Sequence, residues 1–469
     1  MSQTVAQGTI YLGVAQFLFI ISGYSIHIGL GRILGPSLYG VYTVIVVLIT
    51  VTVNNFLAYG IPQATSKYIS EDASRAESVK RVAFEVQFLL SLIAFLTYFS
   101  LADFTASLLN DPELSKYIRI SSVMIIPFAM LAVIASGYFN GLREYSKQSL
   151  AWIASYISKT ILIFGFVLAG YSVLGAVLGF ALAPFIGLII ALYFAGLPKK
   201  VEQFSRKKIL LFALPVTLQI VLSQYITNID ILTLKALTKS PEEVGYYSAA
   251  SMISKVPVSL LAALNMALFP VISATTYQND VLKTRRYVSE SLRYLLLLLI
   301  PATMMLSLTS DSVVTLLYSN NYLPAGRPLS VLIVGVFFFT LFAYFLNIII
   351  AAGKPKVSMI LSGMTLLLAF MLNLTLIPLF DMMGAAFATT ISCLVGASVS
   401  ALYTYRLFGI LMYRLTVLRI IISTIAVLPI LTLKVTGLLL LIQYAVSFLI
   451  YLLLLKLVGE LKEGMFILR

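Results

Sequence analysis

Apolar runs long enough to cross a lipid bilayer recur along almost the whole chain, and they constrain its fold more than any motif does. A hydrocarbon core about 30 Å thick takes ~20 apolar residues per helix. With no water there to satisfy peptide groups, only helices or closed barrels can cross it. The runs have helical length. We place fourteen, over residues 8–30, 40–62, 83–102, 120–140, 149–169, 174–197, 209–233, 245–272, 289–309, 329–352, 357–380, 384–405, 415–433 and 437–457. Only 11% of the 469 residues are Asp, Glu, Lys or Arg while 60% are hydrophobic, too little polar side chain to cover a globule in water. The expected fold is an all-α polytopic membrane protein of about 14 transmembrane helices. Its first run follows no basic residue and exceeds a secretory-signal core, so it reads as a retained first span.

The net charge of +14 follows from topology and needs no nucleic acid. With the N-terminus in the cytoplasm, 23 of the 32 Lys and Arg fall in inner connections or at the C-terminal end, among them Lys67, Lys80, Arg81, Lys207, Lys208, Arg285 and Arg293. Seven fall outside: Arg32, Lys116, Arg119, Lys235, Lys239, Arg327 and Lys434. The positive-inside rule then orients the chain in the cell membrane, multi-pass, with both termini cytoplasmic. Lys159 and Lys255 remain, both inside spans.

Short motifs recur at a nearly constant offset. Pro36 and Tyr39-Gly40-Val41-Tyr42 resemble Pro241 and Val244-Gly245-Tyr246-Tyr247 at a shift of 205. Ile61-Pro62 matches Phe269-Pro270 and Leu108-Leu109 matches Leu316-Leu317 at 208; Gly175-Ala176 matches Gly384-Ala385 and Gly187 matches Gly396 at 209; Gly141 matches Gly353 at 212. A unit of six spans is even, so both copies share one orientation and enclose a central cavity about an axis along the membrane normal. The expected organisation is an N-lobe of spans one to six (1–200), a C-lobe of spans seven to twelve (201–408), and two extra C-terminal helices with a cytoplasmic tail (409–469).

Several chemistries are poorly served by this sequence. No segment reads G-x-x-x-x-G-K-[ST], which argues against a Walker ATPase site. One His and one Cys, Cys393, leave no basis for a zinc site, Cys/His catalysis or an intrachain disulfide, and Cys393 reads as a small buried hydrophobe. External connections are short, and their acidic residues, Asp103, Asp111, Glu113, Glu242, Glu243, Asp311 and Asp381, are few for a membrane polymerase or glycosyltransferase. We assign no catalytic residue, metal or cofactor.

Ionisable groups inside spans are costly, about 2.5 to 3.5 kcal/mol on insertion scales, and point to a polar cavity or a partner. Lys159 in span five and Lys255 in span eight each lie ~15 Å deep at a rise of 1.5 Å per residue. They read as a cationic floor for an anionic substrate, or as structural lysines that pair with a carboxylate or snorkel to an interface. Asp230 in span seven reads as a counter-ion, a proton or sodium carrier, or an interfacial aspartate. His27 in span one reads as a packing histidine or a protonation site, and Glu85 as a solvated carboxylate at a helix entrance. Asn54, Asn55, Gln219, Gln224, Asn265 and Asn347 can bind sugar hydroxyls or bond neighbouring helices. Pro215, Pro257 and Pro270 interrupt spans seven and eight as kinks or hinges.

Leu30-Gly31-Arg32-Ile33-Leu34-Gly35-Pro36-Ser37-Leu38-Tyr39-Gly40, with Gly60-Ile61-Pro62 and Lys67-Tyr68-Ile69-Ser70-Glu71, resembles the opening of polysaccharide flippases. These belong to the multidrug, oligosaccharidyl-lipid and polysaccharide exporter superfamily. Asp230 with Val244-Gly245-Tyr246-Tyr247-Ser248-Ala249-Ala250, Phe269-Pro270, Leu317-Tyr318 with Tyr322, and Ala352-Gly353-Lys354 extend the likeness over the twelve repeat helices. The resemblance implies a V-shaped two-lobed fold with a cationic cavity. It implies transport of polyprenyl-diphosphate-linked oligosaccharide from the cytoplasmic to the outer leaflet by alternating access, for cell-surface glycan assembly. By the same likeness Arg32 matches the family's motif arginine and is a substrate-site candidate. Three other functions stay open: a flippase for the cell-wall precursor lipid II, a cation-coupled drug exporter on the same fold, and a membrane glycan polymerase or ligase. With no ATPase site, energy would come from H+ or Na+, the membrane potential or product consumption.

Overall fold

The computed structural model describes residues 4–199, 204–238, 240–258, 280–409, 414–433 and 435–460, and every regular element among them is helical. Nine of these helices are long and apolar enough to cross a membrane. Three, Gln7–Glu71, Tyr145–Ala195 and Pro355–Phe408, have length for two crossings each. Each of these three turns at a residue outside helical geometry: Gly35 (φ 73°), Gly170 and Ser172 (φ 95° and 49°), and Asp381 (φ 49°). Paired spans one–two, five–six and eleven–twelve are thus joined by tight corners instead of loops. Leu415–Leu431 is a shorter apolar helix at span thirteen, and span eight begins as Pro241–Ser254 before leaving the described residues. Asn265 and Phe269-Pro270 lie outside them.

The chain forms two compact units, Met1–Gly245 and Tyr246–Arg469. In the first, Ile49, Val53 and Leu57 of span two pack with Met124, Ile125 and Ala129 of span four. Spans five and six approach closely because the facing residues are small: Ala151 and Ser155 lie against Gly187, and Ser158 Oγ donates to the Ala183 carbonyl at 3.4 Å. In the second unit, Leu292, Leu295 and Leu299 of helix Val281–Leu308 share a core with Tyr344 and Ile348 of Gly326–Ala351. The two C-terminal helices enter that core through Ile420, Tyr451 and Leu455. Tyr451 Oη donates to the Leu297 carbonyl at 2.9 Å, and Glu460 pairs with both Arg293 (2.6 Å) and Arg419 (3.2 Å).

Backbone geometry repeats where the sequence does. Ser172 (φ 49°, ψ −135°) and Asp381 (φ 49°, ψ −132°) adopt the same conformation, one that favours glycine, and each precedes a Gly-Ala pair. The helix ends at Arg143 (φ 59°) and Gly353 (φ 78°) also match, so the residue equivalent to Gly353 is Arg143 at a shift of 210 and not Gly141, the sequence pairing at 212. Glu144 N–H returns to the Phe139 carbonyl at 2.8 Å in the first, and Lys354 N–H to the Ile349 carbonyl at 3.1 Å in the second. That six-to-one bond with a left-handed residue is the Schellman ending.

The Pro36 and Pro241 motifs meet within the first unit. A Cβ placed on Gly40 would lie 2.5 Å from the Pro241 carbonyl oxygen, and one on Gly245 would lie 2.7 Å from the Pro36 carbonyl carbon and closer still to its oxygen. Equivalent glycines therefore pack on equivalent prolines, and neither position has room for a side chain.

Candidate substrate-binding site

Lys159 lies on helix Tyr145–Phe166, on the side away from that helix's exposed apolar stripe. At about 100° per residue, Trp152, Tyr156 and Lys159 share roughly 60° of arc. Leu150, Ile157 and Ile161, all well exposed, centre roughly 150° away on the same helical wheel. The lysine is half-buried, and its Nζ sits 5.8 Å from the ring centroids of both Phe19 and Tyr156. Among the described residues it makes no ion pair or hydrogen bond. Cation–π attraction therefore holds the ammonium where a carboxylate would be expected.

Span two carries Asn54 and Asn55 at the end of a π-helical stretch, Thr50–Asn54, a distortion frequent at functional sites. Both are buried. Asn54 Nδ2 points at Met124 Sδ (3.9 Å), while Asn54 Oδ1 and Asn55 Nδ2 have no partner among the described residues. A buried polar atom left unpaired costs roughly 1–3 kcal/mol, so these two amides keep hydrogen-bonding capacity for a further polar group.

Span seven is discontinuous. Helix Arg206–Ile226 ends, Thr227 Oγ1 and Asn228 Nδ2 donate to the Gln224 carbonyl at 3.1 and 2.8 Å, and a new helix starts at Ile229. The Gln224 side chain is half-buried beside this break. Asp230 occupies the first turn of the new helix, is only 2% exposed, and accepts the Ile231 N–H at 2.9 Å. Span eight is also interrupted: helix Pro241–Ser254 ends one residue before Lys255, which is half-buried in a turn closed by the Val258 N–H on its carbonyl (3.1 Å).

His27 faces back along the Gly35 corner, with Nδ1 2.9 Å from Tyr39 Oη and the Tyr42 ring at 6.1 Å. Tyr39 and Tyr42 are fully buried next to Gly40. Arg32 is exposed near the end of the first limb of that corner, and Glu85 pairs with Arg81 (3.0 Å) and Arg206 (2.9 Å). Of the sequence candidates in this unit, His27 is tied to the Gly35 corner and Lys159 to the face spans one and five share.

Three features had no clear signal in the sequence. Lys80, placed among the inner-loop cations, is 1% exposed; it donates to the Ala195 carbonyl (2.9 Å), pairs with Glu77 (2.9 Å) and lies over the Tyr138 ring. Lys235, placed in an outer connection, is buried and bonds Asp111 at 2.8 Å. Beside it Asn110 Nδ2 donates to the Ala236 carbonyl at 2.7 Å. An aromatic row also leads to Lys159: Phe128 edge-on to Trp152 (6.0 Å), Trp152 stacked on Tyr156 (5.8 Å, 19°), and Tyr156 against Phe19 (5.1 Å). The i, i+4 spacing of Trp152 and Tyr156 was the available clue.

Comparison with known proteins agrees with this architecture. The sequence profile of the polysaccharide biosynthesis protein family matches residues 5–276, and the MatE profile matches residues 215–375. A Shigella flexneri protein provisionally named an O-antigen transporter is 24% identical over 78% of this chain and 90% of its own length. The lipid II flippase MurJ of Bacillus subtilis is 23% identical over 91% of this chain and 87% of its own. Among solved structures, a lipid II flippase MurJ in an inward closed conformation superposes with a TM-score of 0.80 at 17% identity, covering 96% of this chain and 99% of that one.

Proposed function

From the premise that this chain belongs to the polysaccharide biosynthesis protein family, within the multidrug, oligosaccharidyl-lipid and polysaccharide exporter superfamily, we propose that it flips polyprenyl-diphosphate-linked oligosaccharide from the cytoplasmic to the outer leaflet. One observation carries the reading: Lys159 holds an ammonium inside a span against two aromatic rings, with no carboxylate paired to it among the described residues. A diphosphate cannot enter hydrocarbon unaided, and an ammonium without an internal anion is a ready partner for it. In this reading transport is by alternating access, Lys255 supplies a second cation, and Arg32 meets the headgroup at the outer end. Asn54, Asn55 and Gln224 bind sugar hydroxyls, and Asp230 and His27 carry the coupling H+ or Na+. Both termini face the cytoplasm, and the protein acts in the cell membrane as a transporter without catalytic residues or a bound cofactor.

The second reading, a flippase for a lipid II-type precursor, is favoured by the coverage of the Bacillus subtilis relative. A drug exporter would want acidic groups where Lys159 stands, and a polymerase would want acceptor-dependent sugar transfer. Reconstitution in proteoliposomes decides among them. Wild type should translocate diphosphate glycolipids, and Lys159→Ala and Lys255→Ala should each lower the rate about tenfold or more at unchanged membrane insertion. Full transport by the double variant would refute the cationic site, and faster movement of lipid II than of other diphosphate glycolipids would select the second reading.

A further inference from the structure

The row of rings below Lys159 has a chemistry that the phosphate-binding lysine does not explain. Trp152 and Tyr156 are each half-buried: the indole N–H donates to Ser136 Oγ at 3.1 Å, and the Tyr156 ring is held between Trp152 at 5.8 Å and Phe19 at 5.1 Å. Tyr156 Oη makes no hydrogen bond among the described residues. A side chain wanted only for packing in a span is better served by Leu or Phe, which carry no polar atom to satisfy. Here two amphipathic rings are stacked along one helix face, the second with an unused hydroxyl, and the row ends on a cation that makes no ion pair among the described residues. Seven residues separate Trp152 from Lys159 in the sequence, about 10 Å of helix rise, with Trp152 on the side of the helix start at Tyr145.

We propose that Trp152 and Tyr156 are sugar-stacking rungs, holding the first pyranose rings of the glycan while Lys159 holds the diphosphate. The proposal rests on the flippase reading and deepens it by assigning the sugar part of the substrate to named side chains. The C–H bonds on one face of a pyranose carry partial positive charge and pack on the negative face of an aromatic ring, and the ring hydroxyls remain free for Tyr156 Oη. The order of groups matches that of the substrate. Phosphate at Lys159 and sugar toward Tyr145 place the glycan on the side from which a cytoplasmic headgroup would enter. Rings locked in advance spare the ordering cost of binding.

The test compares headgroups. Purified full-length protein is reconstituted with a polyprenyl diphosphate carrying one or several hexoses, and separately with the same polyprenyl diphosphate without sugar. Trp152→Leu and Tyr156→Leu should each lower translocation of the glycosylated lipid at least tenfold while changing that of the bare diphosphate less than twofold; Trp152→Phe should restore most of the loss. Because Trp152 is the sole tryptophan, its emission should also respond to the glycosylated lipid and not to the bare one. Equal losses on both headgroups would show that the rings only pack, and no loss on either would show that they are dispensable; each overturns the proposal. Lys159→Ala separates the two levels: it should slow both lipids, and a wild type that moves neither would sink the flippase reading and this assignment together.

Discussion

Replacing Gly245 by alanine should destabilise the protein, although alanine is the better helix former. In an open helix the exchange gains roughly 0.5–1 kcal/mol by removing backbone freedom. At Gly245 the new methyl would stand 2.7 Å from the Pro36 carbonyl carbon and closer to its oxygen, whereas ordinary contacts of this kind begin above 3.0 Å. Both neighbours are backbone, so no side chain can swing aside and the helices must part. Overpacking of this sort costs about 1–3 kcal/mol, which outweighs the propensity gain over most of its range. Gly13 and Gly23 supply the control, since a Cβ on either meets nothing within 4 Å. Thermal unfolding in detergent, followed by the emission of Trp152, should place Gly23→Ala and Gly13→Ala at or above wild type and Gly245→Ala below it. Gly40→Ala should behave like Gly245→Ala, and the double variant should lose less than the sum, because one separation relieves both contacts. A Gly245→Ala protein as stable as Gly23→Ala would refute the close crossing.

Two further outcomes are expected. Lys235→Met should leave Asp111 without its cation, cost about 2 kcal/mol on the scale of a charged hydrogen bond, and raise protease cleavage around residue 110; Asp111→Asn should restore part of the loss in the double variant. The Ser115 hydroxyl bonded to Asp103, with Arg119 alongside, holds that exposed carboxyl below its usual value, so the tie it makes is complete above about pH 4 and is lost as pH falls through the lowered folded value. Limited proteolysis of the 101–114 segment should be flat from pH 8 to 5 and rise only under stronger acid; in Ser115→Ala the rise should begin at higher pH.

Most of the fold is legible in the sequence because lipid leaves the backbone few choices. Runs of about 20 apolar residues become helices, and the repeated Gly-Ala pairs mark corners whose conformations agree to within a few degrees. The corners themselves are less legible. Ser172 and Asp381 adopt a conformation that composition would assign to glycine, because the surrounding paired helices dictate the turn. Charges are the other weak point. Lys80 and Lys235 look like loop cations in a linear reading, and only the packing of the Ala195 carbonyl and of Asp111 against them reveals that they are buried. The site is half legible: a lone lysine in a span stands out, whereas Phe19 and Tyr156 beside it disappear among 29 phenylalanines and 27 tyrosines.

Under the proposed flippase reading, aromatic flanks would suit Lys159 to turnover better than a carboxylate. A lysine in a buried salt bridge must abandon its partner to take a phosphate, and breaking such a pair costs about 3–5 kcal/mol. Two ring faces at 5.8 Å hold the ammonium with ~0.5–2 kcal/mol, enough to position it and little enough to yield to an incoming anion. In that reading release would be eased for the same reason, since the rings would reclaim the cation as the phosphate departs. Inside-negative potential adds ~2.3 kcal/mol per negative charge moved outward per 100 mV. A diphosphate with about two charges would gain roughly twice that. In such a cycle the lysine need only match the desolvation cost of the headgroup, and a tighter site would slow export instead of speeding it.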